Sequence, residues 1–353
     1  MEFLLEYGLF LAKIVTVAAA IIVILVIVKS LSGKSGAMKG ELEITDLSER
    51  HKQTVEQLEH YLHDEAFLKA RDKAAKKEEK EKNKAREKEV KKESKEGELG
   101  AKREPHLFVL SFNGSIDAKE VASLREEVTA ILAVAQEGDE VLLRLESGGG
   151  MVHGYGLASS QLDRIKSAGL ILTISVDKVA ASGGYMMACV ADKIVSAPFA
   201  IVGSIGVIAQ IPNFNKLLKK HDVDYEQITA GEYKRTLTMF GENTDKARDK
   251  FKQELEETHE LFKQFIRDHR PNLELEKVAT GEHWFGTQAQ SLGLVDEIST
   301  SDDLITSACK EKTVLAIQYV QKKKITDKLA GVAGKVVDNV ILKIAERGQK
   351  PIV

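Results

Sequence analysis

Three short stretches bring together residue types that can carry out acyl transfer. In the first, Val179-Ala180-Ala181-Ser182-Gly183-Gly184-Tyr185 follows the apolar run 170–176 and precedes the helix-like 186–190. A serine on a sharp strand-to-helix turn exposes its hydroxyl, and glycines beside it let a substrate backbone come close. Upstream, the strand-like 140–145 runs into Glu146-Ser147-Gly148-Gly149-Gly150. A glycine loop there can aim bare N–H groups at an oxyanion. Downstream, Ala230-Gly231-Glu232-Tyr233-Lys234-Arg235 places a lysine after the strand-like Gln227-Ile228-Thr229. A serine hydroxyl is a poor nucleophile until a base takes its proton, and an amine kept neutral by desolvation can be that base. Each stretch also has a plain reading, Ser-Gly-Gly as a tight turn and Lys234 as one of many surface lysines.

Other chemistries find less support. His153 follows the glycine loop, but no motif places an Asp to orient it, so a Ser/His/Asp triad does not assemble. There is no CxxC, no HExxH and no cluster with metal-ligand spacing, so neither a metal nor a cofactor is expected. Gly331-Val332-Ala333-Gly334-Lys335 lacks the spacing and the following Ser/Thr of a phosphate loop. Two cysteines, Cys189 and Cys309, cannot build a disulfide framework. With 51 basic against 54 acidic residues the net charge is only −3, which gives no electrostatic argument for a nucleic-acid partner.

Four motifs, taken in order, point to one family. They are Ala181-Ser182-Gly183-Gly184-Tyr185, Gly203-Ser204-Ile205-Gly206-Val207, Gly231-Glu232-Tyr233-Lys234, and Gly286-Thr287-Gln288-Ala289 with Leu292-Gly293-Leu294-Val295-Asp296. Over roughly 105–300 the chain resembles the signal peptide peptidase A family of membrane-bound Ser/Lys proteases. The resemblance implies Ser182 as nucleophile, Lys234 as general base and Ser204 as the residue that orients the lysine. It implies an oxyanion hole of backbone N–H groups drawn from Gly149, Gly150 and Gly183. One departure is visible, since the family's Ser-Pro-Gly-Gly loop reads Ser147-Gly148-Gly149-Gly150 here.

The elements that must position these groups follow from periodicity. Residues 107–112 read as a strand, and Val121, Leu124, Val128, Ile131 and Leu132 as one helix face. Strand, helix, strand and glycine loop then alternate, which predicts βαβ units and a largely parallel α/β sheet. The resemblance makes this a Clp protease/crotonase-like fold. Residues 194–202 predict two short buried strands rather than a second membrane span, because Pro198 and Gly203 interrupt the apolar run. From 244 to 270, Phe251, Leu255, Thr258, Phe262 and Phe265 share a stripe that reads as core or subunit contact.

Outside this domain, residues 8–28 are almost wholly apolar and long enough to span a bilayer. Acidic Glu2 and Glu6 stand where a signal peptide's basic region belongs, which favours an uncleaved anchor. Lys29, Lys34 and Lys39 place the bulk of the chain in the cytoplasm by the positive-inside rule, whereas the resemblance places the catalytic domain in the periplasm. Residues 41–69 show a helical pattern, and the Lys/Glu run 71–104 cannot bury a core. The expected organisation is an anchor over 1–30, a charged helical or disordered spacer over 31–104, a peptidase domain over 105–300, and a strand plus amphipathic helix over 301–353. The expected function is a bacterial inner-membrane serine endopeptidase acting on signal peptides or unfolded segments, anchored in lipid and assembled as a homo-oligomer. An acyl-CoA enzyme on the same fold and a non-cutting peptide scaffold are the rivals.

Overall fold

The computed structural model describes residues 40–71, part of 73–87, and 103–321. The anchor expected at 1–30, most of the charged run and, within 301–353, everything after residue 321, where the amphipathic helix is expected, lie outside the described residues. Among the described residues no helix is long and apolar enough to cross a membrane. The chain divides into two units, 1–41 with 320–353, and 42–319. The second carries nearly all that is described.

The chain opens with β1 (Gly40–Asp46) and α1 (Leu47–Leu62), then β2 (His106–Gly114), α2 (Val121–Val134), β3 (Glu140–Ser147) and α3 (Val152–Ser167). Next come β4 (Ile171–Val176), β5 (Val179–Ala181), α4 (Gly183–Ala188), β6 (Lys193–Ser196) and β7 (Ile201–Gly203). A long excursion carries α5 (Asn215–Lys220) and α6 (Asp245–His269). The chain returns through α7 (Leu275–Val278), β8 (His283–Phe285), α8 (Gly286–Ser291), β9 (Glu297–Ile298), α9 (Ser301–Ala308) and β10 (Thr313–Gln321).

The described strands form one sheet with the order β1-β10-β2-β3-β4-β6-β9, and β5, β7 and β8 branch from it. Pairing is parallel from β10 through β9, as repeated strand-helix-strand units require. Strands β7 and β8 pair antiparallel, with Val202 opposite Trp284. The two short strands expected at 194–202 are present, but they do not pair with each other: β6 joins β4, and β7 joins β5.

A parallel sheet must be covered on both faces, and this one is. On one face Phe108, Leu110, Leu143 and Ile174 meet Leu124, Val128, Ile131, Leu162 and Ile165 of α2 and α3. On the other, Leu107, Val109, Leu142 and Val314 are covered by Leu47, Leu304 and Ile305. The alternation along β2 and β3 therefore serves two cores. The turn between α2 and β3 is tied to the start of β2 by Asp139. Its carboxylate takes a fork of bonds from Arg103 and two backbone N–H groups, from Gln136 and His106 at 2.8 Å each.

Two sequence expectations are corrected. Residues 41–46 are strand rather than helix, because Leu42 and Ile44 alternate with glutamates and Thr45 adds a β-branched side chain. Residues 227–229 form no strand, and the whole stretch 223–230 is exposed irregular chain. The β-favouring Ile228-Thr229 joins none of the described strands and stays at the surface.

One buried carboxylate makes stability depend on pH. Glu127, on α2, is 4% exposed, and its Oε1 accepts the Tyr319 N–H at 2.8 Å. Burial raises its pKa from 4.5 to about 6, against a smaller lowering by that N–H. The folded state thus holds this proton more tightly than the unfolded chain. The resulting penalty is absent below about pH 4.5, grows to about pH 6 and is full above it, at roughly 2 kcal/mol. Glu127→Gln keeps an acceptor for Tyr319 and removes the charge. Urea unfolding at pH 7 is expected to show it about 1–2 kcal/mol more stable than the parent, with the difference gone at pH 4.5.

Candidate active site

Ser182 stands between β5 and α4 because the chain must turn sharply there from strand into helix. Its backbone has φ 53° and ψ −119°, a region that glycine favours and serine enters only under constraint. The constraint is visible: the Ser182 N–H donates to Gly203 O at 2.8 Å, and its carbonyl accepts from Met186 N at 3.0 Å. Ser204 follows β7 with φ 50°, held by its N–H to Glu282 O at 2.6 Å. Behind it the ring of Trp284 lies against Gly203, where a Cβ would come within 2.8 Å of Cε3.

One cavity of about 450 Å³ collects these groups. Gly148, Gly149, Gly150, Ser182, Gly183 and Ser204 line it. Its apolar wall is Val152, Met186, Ile208 and Phe262, with Thr258 beside Phe262. Gly149 has φ 85°, and a Cβ on it would meet Gly183 N at 2.7 Å, so only glycine lets the loop approach the serine turn this closely. A Cβ on Gly148 would meet nothing within 4 Å, so a side chain has room at the position where the resembled family carries proline.

The backbone donors divide cleanly. Gly149 N–H is taken by the Ser147 hydroxyl at 3.0 Å. Gly150 N–H and Gly183 N–H have no acceptor among the described residues. Both residues line the cavity beside Ser182, so their N–H groups are available there as hydrogen-bond donors. The hydroxyls of Ser182 and Ser204 likewise have no hydrogen-bond partner among the described residues.

Lys234 lies elsewhere. It is exposed and lines a second cavity, of about 840 Å³, with Gln210, Ile211, Tyr225 and Thr229. Of the residues singled out from the sequence, the structure brings Ser182, Ser204, Gly149, Gly150 and Gly183 together and leaves Lys234 on the 206–243 excursion. His153 is exposed and does not line the cavity. No group of three His, Cys, Asp or Glu side chains suited to a metal is found among the described residues.

The Leu292–Asp296 motif acquires a structural role. Asp296 Oδ2 accepts Ile194 N–H at 2.7 Å, and Arg270 grips the same carboxylate at 2.6 and 2.9 Å. Burial works to raise the Asp296 pKa, but the Arg270 pair and the Ile194 N–H outweigh it and hold the carboxylate ionised. Next to it, Tyr185 of α4 donates its buried hydroxyl to Leu294 O at 3.1 Å. The motif thus fastens the helix that follows Ser182.

Comparison with known sequences agrees with this arrangement. Residues 2–162 match the N-terminal model of peptidase family S49, and residues 164–315 match the family's own model. The chain belongs to peptidase family S49. It is 54% identical over 341 residues to "Probable protease SohB" of Haemophilus influenzae, covering 96% of each chain. The same name is carried by a protein of Buchnera aphidicola subsp. Acyrthosiphon pisum, 52% identical over 345 residues and covering 98% of each. "Protease 4" of Haemophilus influenzae is 27% identical over 188 residues, 52% of this chain and 30% of that protein. The boundary between the two S49 models, at 162–164, falls inside α3, so the site of this S49 peptidase draws on both.

Sequence reasoning missed the apolar wall. Thr258 and Phe262 were legible only as a helical stripe, and a stripe that faces a cavity has the same spacing as one that faces a core.

Proposed function

We propose that the chain is a membrane-anchored serine endopeptidase in which Ser182 attacks the scissile carbonyl and Lys234 is the base. Its sheet with the site at a strand-to-helix turn fits the Clp protease/crotonase type. Neutral Lys234 takes the Ser182 proton as Oγ bonds to carbon, and the oxyanion is held by Gly150 and Gly183 N–H. The lysine passes that proton to the leaving amine as the C–N bond breaks. Water then gives one proton to Lys234 and its oxygen to the acyl carbon, and the proton returns to Ser182 Oγ as the acid departs. The single observation that carries this reading is the strained Ser182, held with Gly149, Gly150, Gly183 and Ser204 around one cavity.

The exposed position of Lys234 bears on assembly. A lysine base needs to lose its water, and the stretch around it carries exposed apolar side chains, with Ile228 94% and Ile208 78% accessible. We read the 206–243 excursion as the face that meets a second copy, covering Lys234 and bringing it to the copy's Ser182. The anchor over 8–28 would hold the assembly at a bacterial inner membrane, with the catalytic domain in the periplasm. Substrates are extended segments such as signal peptides.

Mixing two inactive variants tests this. Ser182→Ala and Lys234→Met, purified separately and then co-assembled, are expected to recover peptidase activity. Random assortment in a closed ring gives roughly a quarter of the parent's sites. No recovery on co-assembly contradicts a dyad shared between copies.

A further inference from the structure

Below the glycine loop lies a relay of hydroxyls with no part in the bond-making steps. Tyr155 of α3 is fully buried, and Ser147 at the end of β3 is 2% exposed. Their hydroxyl oxygens are 2.5 Å apart. Proton directions follow from the partners. Tyr155 donates its one proton to Ser115 O at 2.9 Å, so Ser147 must donate to Tyr155 Oη. The Ser147 lone pair is then free to accept the Gly149 N–H at 3.0 Å. Every hydroxyl is satisfied in one direction only.

Glycines hold this relay against the nucleophile. A Cβ on Gly183 would fall 2.5 Å from Tyr155 Cγ, so the ring lies flush with the backbone that follows Ser182. A Cβ on Gly114 would fall 2.5 Å from Tyr155 Oη and 2.8 Å from Ser147 Oγ. On Gly184 it would fall 2.6 Å from Ser147 O. One tyrosine thus touches both backbone segments that carry the unpaired N–H groups: its ring sits under Gly183, and its hydroxyl, through Ser147, pins the loop of Gly149 and Gly150.

We propose that Tyr155 and Ser147 are positioning residues for the oxyanion hole, fixing the distance between Gly150 N–H and Gly183 N–H by consuming the Gly149 N–H. This rests on the serine-peptidase reading above. The device also explains why Gly149 is not itself a donor to substrate. A polar group spent on the loop keeps it from swinging toward water when the cavity is empty, so the hole exists before substrate arrives.

Tyr155→Phe and Ser147→Ala test it, since each removes a hydroxyl and keeps the fold's volume nearly intact. Both are expected to lower kcat by about 10- to 100-fold with KM changed less than about threefold, because the loss falls on the transition state. The double variant is expected to be no worse than the poorer single one, as both break the same chain. Hydrogen exchange over residues 147–151 is expected to quicken in each variant while exchange across β3 and β4 stays at the parent's rate. An unchanged kcat overturns the proposal. So does a loss of kcat with KM, melting temperature and sheet exchange all shifted, which marks a general packing defect. If the parent itself proves inactive and takes no phosphonate, the peptidase reading fails. The exchange over 147–151 still decides the relay, and equal exchange in parent and variants removes it.

Discussion

Lys234→Arg is expected to abolish peptide hydrolysis although it keeps the positive charge. Arginine stays protonated to about pH 12 or beyond, so it cannot take the Ser182 proton at any working pH. Loss of a general base that also serves as the acid for the leaving amine is expected to cost on the order of 10³-fold in kcat. Lys234→Met, of similar volume and no charge, is expected to match it. Ser204→Ala is expected to cost less than either, since Ser204 lines the Ser182 cavity without being its base. Turnover assays of the three purified variants check this order. Near-normal turnover in Lys234→Arg would mean that the lysine is a fixed charge, and the Ser/Lys mechanism would fall.

Ser182→Gly is expected to be inactive and yet more stable than Ser182→Ala. The nucleophile is lost in both, at roughly 10⁴-fold or more in kcat by analogy with other serine peptidases. The two differ in backbone strain. A non-glycine residue at φ 53° and ψ −119° costs about 1–3 kcal/mol, and alanine inherits that cost from serine. Glycine relieves it but gains about 0.4–1 kcal/mol of unfolded-state entropy, which leaves a net gain of about 1 kcal/mol. Thermal unfolding of the two variants reads the difference. If glycine is the less stable, the turn at Ser182 stores no strain.

Much of this was legible in the residues because apolar runs and glycines have local causes. The strands at 107–112, 140–145 and 170–176 announced themselves as continuous apolar segments, as strands buried on both faces do. The serine turn and glycine loop were visible because backbone that approaches backbone, as Gly149 approaches Gly183, tolerates no Cβ. What escaped was either non-local or shared a pattern with something else. The relay from Gly149 through Ser147 and Tyr155 to Ser115 spans up to 40 residues of chain, and no period records a contact between hydroxyls. Strand β1 resembles a helix in sequence because its two apolar residues are too few to outweigh its charges. Lys234 could be assigned a role by resemblance, but no feature of its neighbours in sequence says which surface it faces.

The most direct test of the account is covalent. A serine-directed peptidyl phosphonate, followed by digestion and mass mapping, is expected to give one adduct, at Ser182. The adduct is expected to vanish in Ser182→Ala and to form much more slowly in Lys234→Met and in Tyr155→Phe. An adduct on any other residue, or one that persists in Ser182→Ala, would contradict the assignment of the nucleophile and with it the mechanism proposed for this chain.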